Sequence, residues 1–229
     1  MMKRVFIAII CLFFVQTAFA QNTIKQGKIF YEMDFPDIPA EQKTAMAEML
    51  PKDATAYFKD GKTRVETPMP FGKLIIIRDP NKKHFLFAFN NAERKKKVAF
   101  IKTDEEIKKM LGDSSKFQVE IEITKETKKI AGFTATKAIL KMKVNGQDIV
   151  TECWFSKEIP KINMGGEQDD VYSKLDGGLL EYTTIQGGIK TVMRIRQILQ
   201  EEINDKLFEL GPSYKMVNNE DELATEMLK

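Results

Sequence analysis

The sequence predicts a mainly β protein, an antiparallel sheet with a strong curl, about ten strands and two or three short helices. One observation is the Asn145-Gly146 pair between two strand-like runs, the strongest short-range hairpin signal. A second is alternation of apolar and polar residues in many short runs separated by turn residues. A third is the absence of a fixed-period repeat, which disfavours propellers and solenoids.

The central hairpin spans residues 132–160 and has a strongly specified register. A two-residue turn at Asn145-Gly146 places Met142 opposite Ile149 and Leu140 opposite Thr151, on a face that is almost entirely apolar. The other face pairs Lys137 with Trp154, which suggests a cation–π contact. A slip of one residue would bury the lysines of that face, so other registers are disfavoured.

The first part of the chain reads as a meander with one helix. Residues 27–35 alternate as a half-buried strand that includes Tyr31 and Met33. Residues 40–50 then carry Met46 and Met49 at helical spacing before Pro51. Asp60-Gly61 predicts a second tight hairpin.

The strands that follow are unusually apolar. Residues 72–78 are apolar on both faces, and Phe85, Phe87 and Phe89 share one face of the next strand. Such a row is typical of a packed core but also of a cavity for acyl chains. Thr103 with the acidic residues 104–106 predicts the start of a helix that ends at Gly112.

The second part of the chain contains one irregular region. The glycine-rich, acidic residues 163–170 predict a loop. Gly187-Gly188 predicts a last hairpin, with Glu181 opposite Arg194. Residues 203–210 predict a short helical turn, and residues 220–228 a terminal helix.

The first twenty residues have the pattern of a secretory signal peptide. Lys3 and Arg4 precede an apolar run over residues 5–15, and an A-x-A motif ends at Ala20. We therefore expect export to the periplasm or outer envelope with cleavage after Ala20, leaving one domain over residues 21–229. The apolar run is too short to span a bilayer, so we expect no integral membrane span after cleavage.

Charge and reactive side chains narrow the chemistry. Removal of Lys3 and Arg4 leaves 34 basic against 33 acidic residues, a balance that disfavours nucleic-acid binding. Cys153 would be the only cysteine and is predicted to be buried, which rules out an internal disulfide. His84 is the only histidine, and no spacing fits a zinc site or a nucleophile elbow. We predict no catalytic residue, no metal, no cofactor and no enzymatic activity.

Three segments resemble a family of exported proteins of unknown function. Residues 129–138, residues 153–160 and the seven residues 175–181 are similar to the motifs of the GLPGLI proteins and their relatives. The resemblance implies a fold like that of the periplasmic lipoprotein carriers of the LolA/LolB type, an incompletely closed antiparallel barrel with helices covering its concave face.

Two functions remain open at this stage. One is binding of a lipid or other hydrophobic ligand in the concave face of the sheet; the other is a structural or protein-interaction module of the envelope with a filled core. A partner would accordingly be a lipid or acyl chain, or an envelope protein. The predicted ligand-lining residues are Tyr31, Met33, Met46, Met49, Phe85, Phe87, Leu140, Met142 and Phe155.

Overall fold

A computed structural model describes residues 24–46, 49–111, 119–144, 147–162, 169–172, 174–186 and 189–228. The predicted signal peptide, the Asn145-Gly146 and Gly187-Gly188 turns and most of the acidic loop lie outside these residues. Strands make up more than half of the described residues, which confirms a mainly β fold. They are β1 Gln26–Asp34, β2 Asp53–Lys59, β3 Lys62–Met69, β4 Gly72–Asp79, β5 His84–Asn91, β6 Lys96–Thr103, β7 Val119–Ile130, β8 Phe133–Val144, β9 Gln147–Ser156, β10 Gly178–Gln186, β11 Ile189–Leu199 and β12 Lys215–Met216.

All twelve strands form one sheet, in the order β12-β6-β5-β4-β3-β2-β1-β11-β10-β9-β8-β7. The sheet consists of two consecutive meanders, β1–β6 and β7–β11, joined where β1 pairs with β11. The two-residue β12 runs parallel to β6, so the sheet is mixed. Its two end strands, β7 and β12, do not pair with each other among the described residues, and the sheet is not closed into a barrel.

The predicted hairpin registers are confirmed. Leu140 lies opposite Thr151 and Met142 opposite Ile149 across the central hairpin. Ala56 lies opposite Val65 in the second hairpin, and Glu181 lies opposite Arg194 in the last. Tight turns and one-sided apolar patterns therefore set the pairing that the structure shows.

The sheet has a hydrophobic cluster on each face. We call the face that carries Ile29, Ala56 and Val65 the core face; its cluster extends to Leu140 and Phe155 in the other meander. Side chains at Ile75, Ile77 and Ala88 point to the opposite face because Ile76 lies opposite Val65 in the ladder. The smaller cluster forms there with Ile203 and Phe208, which follow β11.

The helices are short: α1 Ala40–Ala45, α2 Asp104–Leu111, α3 Asp169–Tyr172 and α4 Glu220–Leu228, with a 3₁₀ helix at Asp205–Phe208. The predicted start of α2 is confirmed, because Thr103 and Glu106 cap each other through their side chains and backbone N–H groups. The helix expected over residues 40–50 is shorter than predicted. It ends at Ala45, and the backbone N–H groups of Met49 and Leu50 both donate to the Met46 carbonyl.

The basic run at residues 93–97 connects β5 to β6 and contacts the last helix. Arg94 Nη1 donates to the Met227 carbonyl at 3.0 Å, and Lys96 Nζ donates to the Glu226 carbonyl at 3.2 Å. Cations at the C-terminal end of a helix satisfy its free carbonyls and complement its dipole. Part of this run therefore anchors α4 beside β6. No helix among the described residues is long and apolar enough to cross a membrane.

Candidate functional site

A cavity of about 500 Å³, open to solvent on one side, lies on the face of the sheet opposite the core face. Its floor is formed by β4, β5 and β6, and its cover is the segment 203–217, which we call the C-terminal strap. Pockets for small ligands commonly have volumes of about 300–1,000 Å³. The lining residues are Ile77, Asp79, Lys82, His84, Leu86, Ile101, Phe208, Glu209, Leu210, Gly211, Pro212, Tyr214 and Met216.

The strap is held over the sheet by two buried side chains and by backbone contacts. Ile203 and Phe208 are buried in the smaller hydrophobic cluster. Arg64 Nη1 on β3 donates to the Leu207 carbonyl at 3.0 Å. At the far end the Val217 N–H donates to the Ala99 carbonyl at 2.8 Å, next to the β12–β6 pairing. The strap thus crosses the sheet from β11 to β6.

Charged side chains of the sheet also contact the strap. Lys59 Nζ contacts Asp205 Oδ2 at 2.8 Å and also donates to the Ile203 carbonyl. Lys97 Nζ lies 5.7 Å from the centre of the Tyr214 ring. Exposed pairs of this kind contribute little individually. The strap therefore depends mainly on its few apolar anchors and its backbone hydrogen bonds.

The wall of the cavity is mostly apolar, with its polar groups concentrated at the turn between β4 and β5. Asp79 is nearly buried, and its carboxylate accepts a hydrogen bond from the Asn81 N–H at 3.0 Å. His84 Nδ1 lies 2.9 Å from the Lys82 carbonyl, so one ring nitrogen already has a partner in the turn. Lys82 and Glu209 also line the cavity. Its polar region can therefore contact a polar group of a ligand, while Leu86, Ile101 and Met216 can contact an apolar part of the same ligand.

An ion triad of Arg64, Glu66 and Lys73 lies on the same face of β3 and β4; Arg64 and Glu66 are nearly buried, whereas Lys73 is partly exposed. Glu66 Oε1 is 2.7 Å from Arg64 Nε, and Glu66 Oε2 is 2.6 Å from Lys73 Nζ. Burial acts to raise the pKa of Glu66, but hydrogen bonds from Lys73 and Arg64 outweigh it and hold that pKa below its ordinary value. Burial raises the pKa of Tyr214, which borders the triad. Arg64 thus connects the strap to a fixed charge pair in the sheet.

The nine ligand-lining residues predicted from the sequence lie elsewhere. Tyr31, Leu140 and Phe155 are buried members of the core-face cluster, and Met33 and Met142 pack at its margin. The other four lie in different surroundings: Phe85 is buried, Phe87 stacks on Phe100 with ring centres 5.1 Å apart, Met46 is half-buried and Met49 is 64% exposed. The structure therefore groups five of them around one core and places none in the wall of the cavity.

Most of the cavity wall was missed by the sequence reasoning. The strap residues Leu210, Pro212 and Met216 belong to a stretch without periodic pattern. One signal was present in the sheet, because β4 is apolar on both faces and must therefore be covered on both. The sequence analysis considered two reactive side chains, His84 and Cys153. Of these, His84 lines the cavity.

Cys153 has the surroundings of an inert thiol. It is fully buried, as predicted, and burial raises its pKa to about 12. A thiol acts as a nucleophile only as its thiolate, so this position does not favour nucleophilic chemistry. Among the described residues no group of three or more His, Cys, Asp and Glu side chains is placed to hold a metal ion.

Comparison with known proteins adds little to this geometry. No protein-family model matches the chain, and no curated protein matches it. Among solved structures, that of PNGF-II in a C2 space group is similar with a TM-score of 0.48 and 15% sequence identity. The match covers 89% of this chain but only 32% of that protein, so this chain spans about a third of its length. A likeness this distant carries no functional argument.

Proposed function

We propose that this protein is an exported envelope protein that binds a small hydrophobic or amphipathic ligand, and that the cavity under the C-terminal strap is its binding site. The observation that carries the proposal is the cavity itself, about 500 Å³ with apolar walls and a polar group of residues at one turn. Ligand pockets typically combine such walls with a few placed polar groups. Export is inferred from the signal-peptide pattern of residues 1–20.

The ligand expected from this lining has an apolar body and a polar end. The body would contact Leu86, Ile101 and Met216, while the polar end would lie near Lys82 and His84. Single-chain lipids such as fatty acids have this form. The chemistry required is binding alone, in keeping with the prediction that the protein is not an enzyme.

The test combines identification of a natural ligand with a blocked cavity. Native mass spectrometry should be applied to two preparations, protein recovered from its own host and protein produced recombinantly. We expect a bound amphiphile in the protein recovered from its own host. A fluorescent fatty acid should then bind the purified protein, and Ile101→Trp should weaken that binding at least about tenfold by filling the cavity. Ile189→Trp is the matched control, because Ile101 and Ile189 are both strand isoleucines with 42% exposure and only Ile101 lines the cavity.

The outcomes separate this site from the one predicted from the sequence. Binding that is unaffected by Ile101→Trp but lost in Met142→Trp would move the ligand to the core face. Absence of bound ligand from both preparations, together with no fatty-acid binding, would refute the proposal.

A second function, a structural or protein-interaction module without a ligand, is favoured by the packing of the core face. Tyr31, Leu140 and Phe155 are each no more than 3% exposed, so this part of the sheet is filled by its own side chains. A stoichiometric protein partner recovered from envelope extracts, with no ligand in either preparation, would support this function instead.

A further inference from the structure

The two edges of the sheet differ in whether other elements cover them. The β6 edge is covered by β12 and by α4, which receives hydrogen bonds from Arg94 and Lys96. The other end is β7, twelve residues long, which pairs with β8 on one side and with no described strand on the other. A long strand with free backbone N–H and C=O groups is a template for pairing with another strand.

The outer edge of β7 also exposes apolar surface. Ile123 is 58% exposed, although its neighbours in the ladder belong to the core face. Val119 and Ile121 are only partly buried and pack at the margin of the core cluster. The hydrophobic core therefore reaches this edge without a covering element among the described residues.

The charges of β7 are divided between its two halves. An irregularity in the ladder lies between Ile123 and Thr127. The half before it carries Glu120 and Glu122, and the half after it carries Lys128 and Lys129. The strand is thus acidic at its beginning and basic at its end.

We propose that β7 pairs with β7 of a second copy of this chain, antiparallel about a two-fold axis perpendicular to the sheet. This arrangement sets the acidic half of each strand beside the basic half of the other, whereas parallel pairing would set like charges together. It also keeps the core faces of both copies on the same side, so Val119, Ile121 and Ile123 of both edges lie on one face of the combined sheet. The interface is isologous, as is usual in homodimers. This inference rests on the β7 edge and is independent of the cavity.

The test uses two charge-reversed variants. Each alone should fail to dimerise, and a mixture of the two should form a dimer. Glu120→Lys with Glu122→Lys leaves Glu126 as the one acidic residue of β7 and makes the strand predominantly basic, and Lys125→Glu with Lys129→Glu makes it predominantly acidic. Lys128 is left unchanged because it contacts Glu181 at 3.0 Å. Asp37→Lys with Glu41→Lys, in and before α1, makes the same change of charge as the first variant at a site away from β7.

Analytical ultracentrifugation of the purified proteins should show a weak dimer of the unchanged chain, with a Kd of about 10–100 µM, because one strand edge buries less than a standard interface of ~1,600 Å². Each β7 variant should weaken dimerisation at least about tenfold, while the α1 control should dimerise normally. An equimolar mixture of the two β7 variants should regain a dimer.

Three results would overturn the proposal. The first is an unchanged chain that stays monomeric up to about 500 µM, well above the expected Kd. The second is a dimer unaffected by either β7 variant, which would place the interface on another surface. The third is a failure of the mixture to associate when circular dichroism shows that both variants are folded.

Discussion

The two faces of the sheet are stabilised in different ways. On the core face, Leu140, Leu180 and Ile195 are almost completely buried among other apolar side chains. On the opposite face, the C-terminal strap rests on Ile203 and Phe208, and ion pairs such as Lys59–Asp205 lie at its margin. One face is therefore a packed interior, whereas the other is a covered surface that leaves room for a cavity.

The largest effect is expected from truncating the packed face. Leu140→Ala should lower the free energy of unfolding by about 3–4 kcal/mol, because it leaves a cavity among closely packed neighbours. Leu86→Ala, in the cavity wall, should lower it by about 1 kcal/mol, because Leu86 is only half-buried. Urea unfolding followed by circular dichroism measures both values. Equal losses in the two variants would show that the faces are packed alike.

An intermediate and pH-dependent effect is expected at the Glu66 triad. Glu66→Gln should lower the free energy of unfolding at pH 7 by about 2 kcal/mol, since hydrogen bonds to charged groups contribute about 1.5–3 kcal/mol. The folded pKa of Glu66 lies below its ordinary value of 4.5, so this stabilisation is present above pH 4.5 and is lost as the pH falls through the folded pKa. The difference between the two proteins should therefore shrink in acid.

Thermal unfolding of both proteins between pH 7 and pH 3 checks this prediction. Lys52→Gln is a suitable control because Lys52 is an exposed residue of the loop before β2. A difference that stays constant down to pH 3 would mean that Glu66 acts through packing instead of charge.

The smallest effect is expected at the margin of the strap. Lys59→Met should lower the melting temperature slightly at low salt, and the difference should disappear at about 1 M NaCl, where the Debye length is only about 3 Å. Lys52→Met, also a lysine with no strap contact, should change nothing. A large loss that persists in salt would show that Lys59 holds the strap mainly through its hydrogen bond to the Ile203 carbonyl.

The hairpins could be predicted from the sequence because their determinants are local. Asp60-Gly61 is a two-residue turn signal, and Asp60 adopts a positive φ of 49° in the structure. Once such a turn is placed, every pair along the two strands follows, as the Ala56–Val65 pair shows. Capping of α2 by Thr103 is local in the same sense.

The charged contacts were harder to predict because a long side chain can reach past its direct neighbour. Lys137 lies opposite Trp154 in the ladder, as predicted, yet its ammonium contacts Glu152 at 2.9 Å. The face of Trp154 is covered instead by Lys128 from β7, whose Nζ lies 4.2 Å from the ring centre. Register alone therefore does not decide which lysine contacts the ring.

The cavity could not be predicted because its two walls come from distant parts of the chain. Ile77 and Leu86 are adjacent in the ladder, but Leu210 and Tyr214 reach them only through the path of the strap. That path depends on tertiary contacts such as the hydrogen bond from Arg64 to the Leu207 carbonyl. The sequence pattern of residues 203–217 does not predict such contacts. The two-sided apolar character of β4 is compatible with a cover on both faces, but it does not identify the segment that provides one.

The pairing of β1 with β11 has a consequence for the order in which the molecule folds. The Glu32–Arg194 contact on this seam joins residues 162 positions apart, so the centre of the sheet forms only after nearly the whole chain is available. Each meander can pair its own neighbours early, but joining them closes a long loop, which is entropically costly and slow. Until then β1 lacks β11 as its neighbour, so newly made chains should pass through a stage with two half-sheets and an open central edge.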